Sequence, residues 1–241
     1  MKRIIAIILT AIFALTLLSG CGKQIAWQSE ISNISKENKY VLLYIDDGSS
    51  KESVAIRDNL KENANNMPEQ FQFVEINYDK EKDALLKYLN TTSISKFPLA
   101  LSIAPNGAIT GSFDKKCTKD ELKATVVEKK ESEILLCLQK GKVALLCIHK
   151  GQTEEFNKVT SELKAIETNF NGVVVAQYLD TENKSDMSFI KKLPEPTANI
   201  TVFITVPGSG IRAKLEDDQI NNKNLLQSIQ SSCSCGPGGC G

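Results

Sequence analysis

The 241-residue sequence predicts an α/β protein. It reads as two tandem domains of one plan, each a three-layer α/β/α arrangement around a mixed sheet, behind a secretory signal and ahead of a Cys/Gly-rich tail. Three observations predict this. Residues 73–113 run as apolar strand, helical patch, Phe-Pro step, strand, tight turn and strand. The same succession returns after residue 131. Hydrophobic residues make up 41% of the chain, enough for packed cores and too many for disorder.

Each copy opens on an amphipathic helix, 31–37 and 132–140, followed by an apolar run, YVLLYI at 40–45 and KVALLCI at 142–148. A run that is apolar at successive positions reads as a strand covered on both faces. A polar turn and a helix follow, 53–63 and 154–170. Second strands come next, 71–78 and 173–178, closed by Asp79 and Asp180. Leu85, Leu86 and Leu89 then fall at helical spacing, which Phe189, Ile190 and Leu193 repeat. Hairpins are expected at 99–113, around Pro105-Asn106-Gly107, and at 200–215, around Pro207-Gly208-Ser209-Gly210. Asn and Gly tolerate the positive φ of a tight turn. Closing helices span 119–127 and 223–229, the first with Thr118 and Glu121 set as a capping box. The second copy departs in one place: it has no Phe-Pro, and Pro194 and Pro196 lie early, with Ala198-Asn199 before the strand.

The stretch Glu75-Ile76-Asn77-Tyr78-Asp79, the helix at 82–89, Lys96-Phe97-Pro98 and Pro105-Asn106-Gly107 together resemble the second half of a thioredoxin-fold domain. In that family Lys96-Phe97-Pro98 corresponds to the cis-proline loop. The resemblance also implies a Cys-x-x-Cys after the first long strand, at a helix start that favours thiolate. Here that position reads Asp46-Asp47-Gly48-Ser49-Ser50-Lys51-Glu52-Ser53, and in the second copy His149-Lys150-Gly151-Gln152-Thr153-Glu154-Glu155. Neither holds a cysteine, so no catalytic residue carries over. Resemblance to non-catalytic modules of protein disulfide isomerases implies instead a groove for an extended peptide around Ser49, Ser50, Ser53, Phe97 and Pro98.

Lys2 and Arg3 precede an apolar stretch at 4–18, too short for a comfortable membrane span and suited to a secretory signal. It ends in Leu18-Ser19-Gly20-Cys21, which resembles the lipobox of bacterial lipoproteins. That resemblance implies cleavage before Cys21, diacylglycerol on its thiol and an acylated amine such as palmitate. The chain would then be held at a membrane of the bacterial envelope, facing the periplasm or the exterior. The 29 Lys+Arg balance 29 Asp+Glu, which leaves no bulk attraction for nucleic acid.

Of seven cysteines, Cys21 is assigned to the lipid. Cys137 and Cys147 sit in apolar runs and read as core; Cys117 lies in a polar turn and reads as accessible. Cys147 and His149 share one strand face, which allows a metal or activated-thiol pair; the plainer reading is a core cysteine and a histidine at the exposed strand end. Cys233, Cys235 and Cys240 lie among Gly, Ser and Pro, where core packing does not explain them. Three thiolates suit Cu(I), or Zn with a fourth ligand; a reversible disulfide, a structural disulfide and a processing segment are the other readings. No Walker loop, GxGxxG, nucleophile-elbow serine or HExxH is present.

The expected boundaries are 1–20 signal, 21–29 lipidated tether, 30–130 and 131–230 thioredoxin-like domains, and 231–241 tail. The expected function is a membrane-anchored, redox-degenerate scaffold that binds a protein or peptide of the envelope without a required cofactor. The alternative is thiol–disulfide exchange or soft-metal handling through the Cys233/Cys235/Cys240 arm.

Overall fold

The computed structural model describes residues 25–48 and 51–233. Two four-stranded mixed sheets follow one another along the chain. The first unit comprises α1 Ala26–Lys36, β1 Tyr40–Asp46, α2 Lys51–Asn65, β2 Phe71–Asn77, α3 Tyr78–Tyr88, β3 Leu99–Ile103, β4 Ile109–Phe113 and α4 Lys119–Lys123. The second comprises α5 Lys129–Gln139, β5 Val143–His149, α6 Glu154–Asn169, β6 Val174–Asp180, α7 Lys184–Ile190, β7 Ile200–Val206, β8 Gly210–Glu216, a 3-10 turn at Asp217–Gln219 and α8 Asn222–Cys233. Strand orders are β2-β1-β3-β4 and β6-β5-β7-β8. In both, the central strand pairs parallel on one side and antiparallel on the other. This is the thioredoxin-like arrangement, used twice.

The repetition extends to register. A constant sequence offset carries the pair Tyr40–Phe71 onto Val143–Val174, and Asp46–Asn77 onto His149–Asp180. The same offset carries α1 onto α5, each 11 residues long. It falls by one residue before the hairpins, where Ala100–Phe113 becomes Val202–Leu215. Both hairpins break register at the corresponding step, Ser102/Ile103 and Ile204/Thr205.

Alternation along the central strands produces the layers. Tyr40, Leu42 and Tyr44 pack with Leu60 of α2 and Leu122 of α4, while Val41, Leu43 and Ile45 pack with Trp27 and Ile31 of α1 and Leu85 of α3. In the second sheet Val143, Leu145 and Cys147 meet α6 and α8, and Ala144, Leu146 and Ile148 meet α5 and α7. Each buried Val, Leu or Ile among them contributes roughly 1.5–3 kcal/mol by leaving water.

Helix α5 is shared between the units. Ile134 and Cys137 are buried in the second core, whereas Leu135 and Leu136 pack against the first. The Gln139 side chain accepts from the Ile109 amide at 2.9 Å and donates to the Ile109 carbonyl at 2.6 Å. Asn106 Nδ2 donates to Ser132 Oγ at 3.1 Å.

Several boundaries differ from the sequence reading. Helix α1 begins at Ala26 and buries Trp27, so the segment expected as a tether at 21–29 is already structured over its second half. Trp27 caps the lower core and its indole N–H donates to Glu81 at 3.3 Å. Asn77 caps α3 by accepting from the Lys80 amide, which starts that helix at Tyr78 and places Asp79 in its first turn. Helix α4 keeps its Thr118–Glu121 capping box but stops at Lys123 instead of 127. The Thr125 hydroxyl donates to the Leu122 carbonyl at 2.7 Å and competes for an acceptor that a longer helix would use. Helix α8 runs to Cys233, into the segment expected as tail. No helix among the described residues is long and apolar enough to cross a membrane.

Candidate functional site

In each unit the last residue of the central strand, the start of the next helix and the residues before the third strand converge at one end of the sheet. Ligands of open α/β sheets gather at such strand ends.

In the first unit this end carries Asp46, one of whose carboxylate oxygens is buried without a hydrogen-bond partner. One step beyond the Ile45–Leu99 pair stand Asp46 and the buried Pro98, joined to Phe97 by a cis peptide. Of the expected groove residues, Ser53 and Phe97 pack on different sides of the sheet. Ser53 is only 1% exposed, and its carbonyl accepts from the Tyr44 hydroxyl at 2.8 Å on the α2 side of the sheet. Phe97 is half-buried on the opposite side, 4.6 Å from the Tyr78 ring. Ser49 and Ser50 lie outside the described residues.

Cys117 is not accessible, contrary to its polar context in sequence: it is 6% exposed. Its amide donates to Asn59 Oδ1 at 3.0 Å and its carbonyl accepts from Asn63 Nδ2 at 2.8 Å, which fastens the loop after β4 onto α2. Burial raises its thiol pKa, and Glu121 adds to the rise.

The second unit arranges the same place differently. His149 is buried, not exposed at the strand end. Gly151, at φ +62°, turns the chain so that its carbonyl meets His149 Nδ1 at 2.9 Å. A carbonyl only accepts, so Nδ1 is the donor in this contact. The ring stacks on Phe156 at 3.8 Å. Asp180 accepts from the Glu182 amide at 2.9 Å and the Gly151 amide at 3.4 Å. These N–H donors, the Glu182 amide foremost, hold its carboxyl below the usual carboxylate range. Thr153 caps α6 by accepting from the Phe156 amide at 3.1 Å.

A cavity of about 590 Å³ opens here. His149 and Ile200 line it from the strand ends, Val159 and Glu162 from α6, and Asp217 and Asp218 from the 3-10 turn. Asp217, at φ +41°, accepts from the Ile200 amide at 3.0 Å and so fixes the turn to the start of β7. One oxygen of Glu162 is buried and has no hydrogen-bond partner.

Cys147 is fully buried in the α6-side core, as the sequence suggested, and burial pushes its thiol up to about 12. No hydrogen bond joins it to His149 among the described residues. Cys137 is core as well. The three buried cysteines occupy three separate clusters and are unbonded. Among the described residues no group of three or more His, Cys, Asp or Glu is placed to hold a metal ion. Cys21, Cys235 and Cys240 lie outside the described residues, and Cys233 is the last residue of α8.

Sequence reasoning missed this cavity by treating His149 as exposed at its strand end. A signal was present: Glu162 falls beside the apolar stripe Phe156, Val159, Leu163 and Ile166 of α6, where a surface helix would continue apolar.

No family model and no curated protein sequence matches the chain. Among solved structures it is similar to the first two thioredoxin domains of Saccharomyces cerevisiae Eps1p, at 12% identity over 83% of this chain and 95% of that one, TM-score 0.31. It is similar to the NTD_N/C domain of alkylhydroperoxide reductase AhpF from Enterococcus faecalis, at 19% identity over 75% and 89%, TM-score 0.31. Human ERp44 resembles it at 12% identity over 87% of this chain and 55% of that one, TM-score 0.37, so the chain spans about half of ERp44.

Proposed function

We propose that this is a thioredoxin-like scaffold of the bacterial envelope, tethered through lipid on Cys21, that holds an extended polypeptide without thiol chemistry at its sheet ends. The observation that carries the reading is the second unit's cavity at the strand end, lined by His149 where the fold's redox members place a dithiol. A recess of about 590 Å³ falls in the size range of small-ligand pockets and admits one or two side chains. Neither strand end carries a cysteine at 46–53 or 149–155. The tethering part follows from the lipobox-like Leu18-Ser19-Gly20-Cys21.

The test uses the full chain expressed in a bacterial host. Reduced, carboxymethylated lactalbumin, an extended polypeptide without free thiols, is expected to bind, while insulin reduction by dithiothreitol is not accelerated. Metabolic labelling with an alkynyl palmitate is expected to mark the protein, and Cys21→Ser to abolish the mark. Failure to bind the lactalbumin overturns the scaffold; labelling of Cys21→Ser overturns the anchor.

One observation favours a second reading. Cys117, Cys137 and Cys147 are sequestered in cores, which leaves Cys233, Cys235 and Cys240 as the thiols available for chemistry in a lipidated chain. Two of them would pass two electrons and two protons to a partner's disulfide, forming a tail disulfide and the partner's dithiol; three thiolates would instead take Cu(I) or Zn. Acceleration of insulin reduction, or metal retained after purification without chelators, that disappears on replacing all three with Ser would establish the arm. Their absence in the unmodified protein overturns it.

A further inference from the structure

We propose that the second unit's cavity grips a cationic side chain, the guanidinium of arginine or the ammonium of lysine, on the carboxylate of Glu162. The proposal rests on the peptide-binding reading above and adds which residue type the peptide must present.

The comparison of the two units carries it. Helices α2 and α6 begin at Lys51 and Glu154 with the offset shared by their flanking strands, so Asn59 and Glu162 occupy the same place. In the first unit Asn59 Oδ1 is satisfied by the Cys117 amide at 3.0 Å. By the hairpin registers, Gln219 stands where Cys117 stands. Gln219 is exposed and its amide is spent elsewhere: it donates to the Glu216 side chain, while the Gln219 side chain accepts from the Glu216 amide at 3.3 Å. The donor that closes the first unit is therefore missing from the second. Glu162 keeps a buried oxygen with no partner at the wall of the cavity.

A buried acceptor without a donor costs roughly 1–3 kcal/mol, and more when it is charged. No ion pair within 4.0 Å involves Glu162 among the described residues, although Lys158 lies one turn away on the same helix. The rest of the lining selects the sign of the ligand. Glu155, Asp217 and Asp218 join Glu162 against Lys150 and Lys158, so carboxylates outnumber ammonium groups. Val159, Ile200 and Ile220 supply apolar wall for the methylene stem of a long cationic side chain.

The test titrates the full, isotope-labelled chain with acetyl-Ala-Ala-Arg-Ala-Ala-amide, and with its lysine and citrulline counterparts, while recording backbone amide shifts. The arginine and lysine peptides are expected to move the signals of Glu162, Asn199 and Asp218. They should bind at least ~10-fold more tightly than the citrulline peptide, as a charge-assisted pair requires. In Glu162→Gln, whose fold is checked by the dispersion of the same spectrum, that advantage should fall below ~3-fold. In Asp218→Asn, where the charge is exposed, it should fall by only ~2-fold. Equal binding of arginine and citrulline peptides overturns the proposal and leaves peptide binding standing. Shifts confined to residues around Pro98 do the same. If no peptide moves any signal the proposal also fails, and the lactalbumin experiment then decides separately whether the peptide-binding reading falls with it.

Discussion

In the first unit the loop after β4 is stitched to α2 by Asn59 and Asn63; in the second, the matching turn stands off α6 and a cavity lies between them. The strands around these two places share register, bulge and helix start. What differs is a handful of side chains: Asn59 against Glu162, Cys117 against Gln219, and Phe97-Pro98 against Asn199-Ile200. A duplicated fold thus carries two different local structures at one place. One copy fastens the loop after β4 to its helix with protein groups, and in the other the corresponding place is a cavity.

The largest expected effect probes whether the copies are mechanically separate. Ile134 is 1% exposed on the shared helix α5, so Ile134→Ala should cost roughly 2–5 kcal/mol. Both units should unfold in one denaturant transition shifted to lower concentration. Two transitions, with only the second unit displaced, would show the copies to be independent.

A smaller effect separates the hairpins. Gly111 corresponds to Ala213, and a Cβ built on Gly111 would collide with Thr125 Cγ2. Thr125 cannot retreat easily, because its hydroxyl is bonded to Ser102 Oγ at 2.8 Å and to the Leu122 carbonyl. Gly111→Ala should cost about 1–3 kcal/mol by overpacking, whereas Ala213→Gly should cost about 0.5–1 kcal/mol through chain entropy. Thermal melts of the two variants rank them, and a harmless Gly111→Ala would mean the hairpins are equivalent after all.

Opening the closed unit comes next. Asn59→Ala removes the acceptor for the Cys117 amide, at a cost of about 1–2 kcal/mol. It should make Cys117 react with a maleimide on a timescale at which the parent is inert. Cys147, pushed up to about 12 by burial, should stay unreactive in both.

The smallest effect is a pH dependence at the end of β6 that its first-unit counterpart lacks. Asp180 corresponds to Asn77, which has no proton to take up. The folded pKa of Asp180 is depressed, so its contribution is present above the unfolded value and lost as pH falls through the folded one. The amides of Gly151 and Glu182 should shift in acid below the range of a free aspartate, and Asp180→Asn should abolish that response. The Lys80 amide, capped by Asn77, should not follow it.

The plan of the fold was legible because each central strand is a continuous apolar run and each hairpin is punctuated by Gly. Periodicity finds such features without tertiary knowledge. The cavity was less legible. Whether His149 is buried depends on Gly151 turning its carbonyl back onto the ring, and whether Cys117 is buried depends on two asparagines of α2. The second depends on contacts between residues far apart in sequence and the first on the geometry of one tight turn, and a reading of polarity around Cys117 or of strand position at His149 sees neither. Ser53 and Phe97, both named for the expected peptide groove, show a related point: adjacency to the same strand end does not put two residues on the same face of a sheet.

The grip of Gln139 on Ile109 has a consequence of its own. A single side-chain amide occupies both the N–H and the C=O of Ile109, where the rim strand β4 begins. Unpaired rims invite copies of a protein to polymerise by adding strand to strand. Gln139 thus acts as a stopper against self-assembly along that rim, and Gln139→Ala is the change that would remove it.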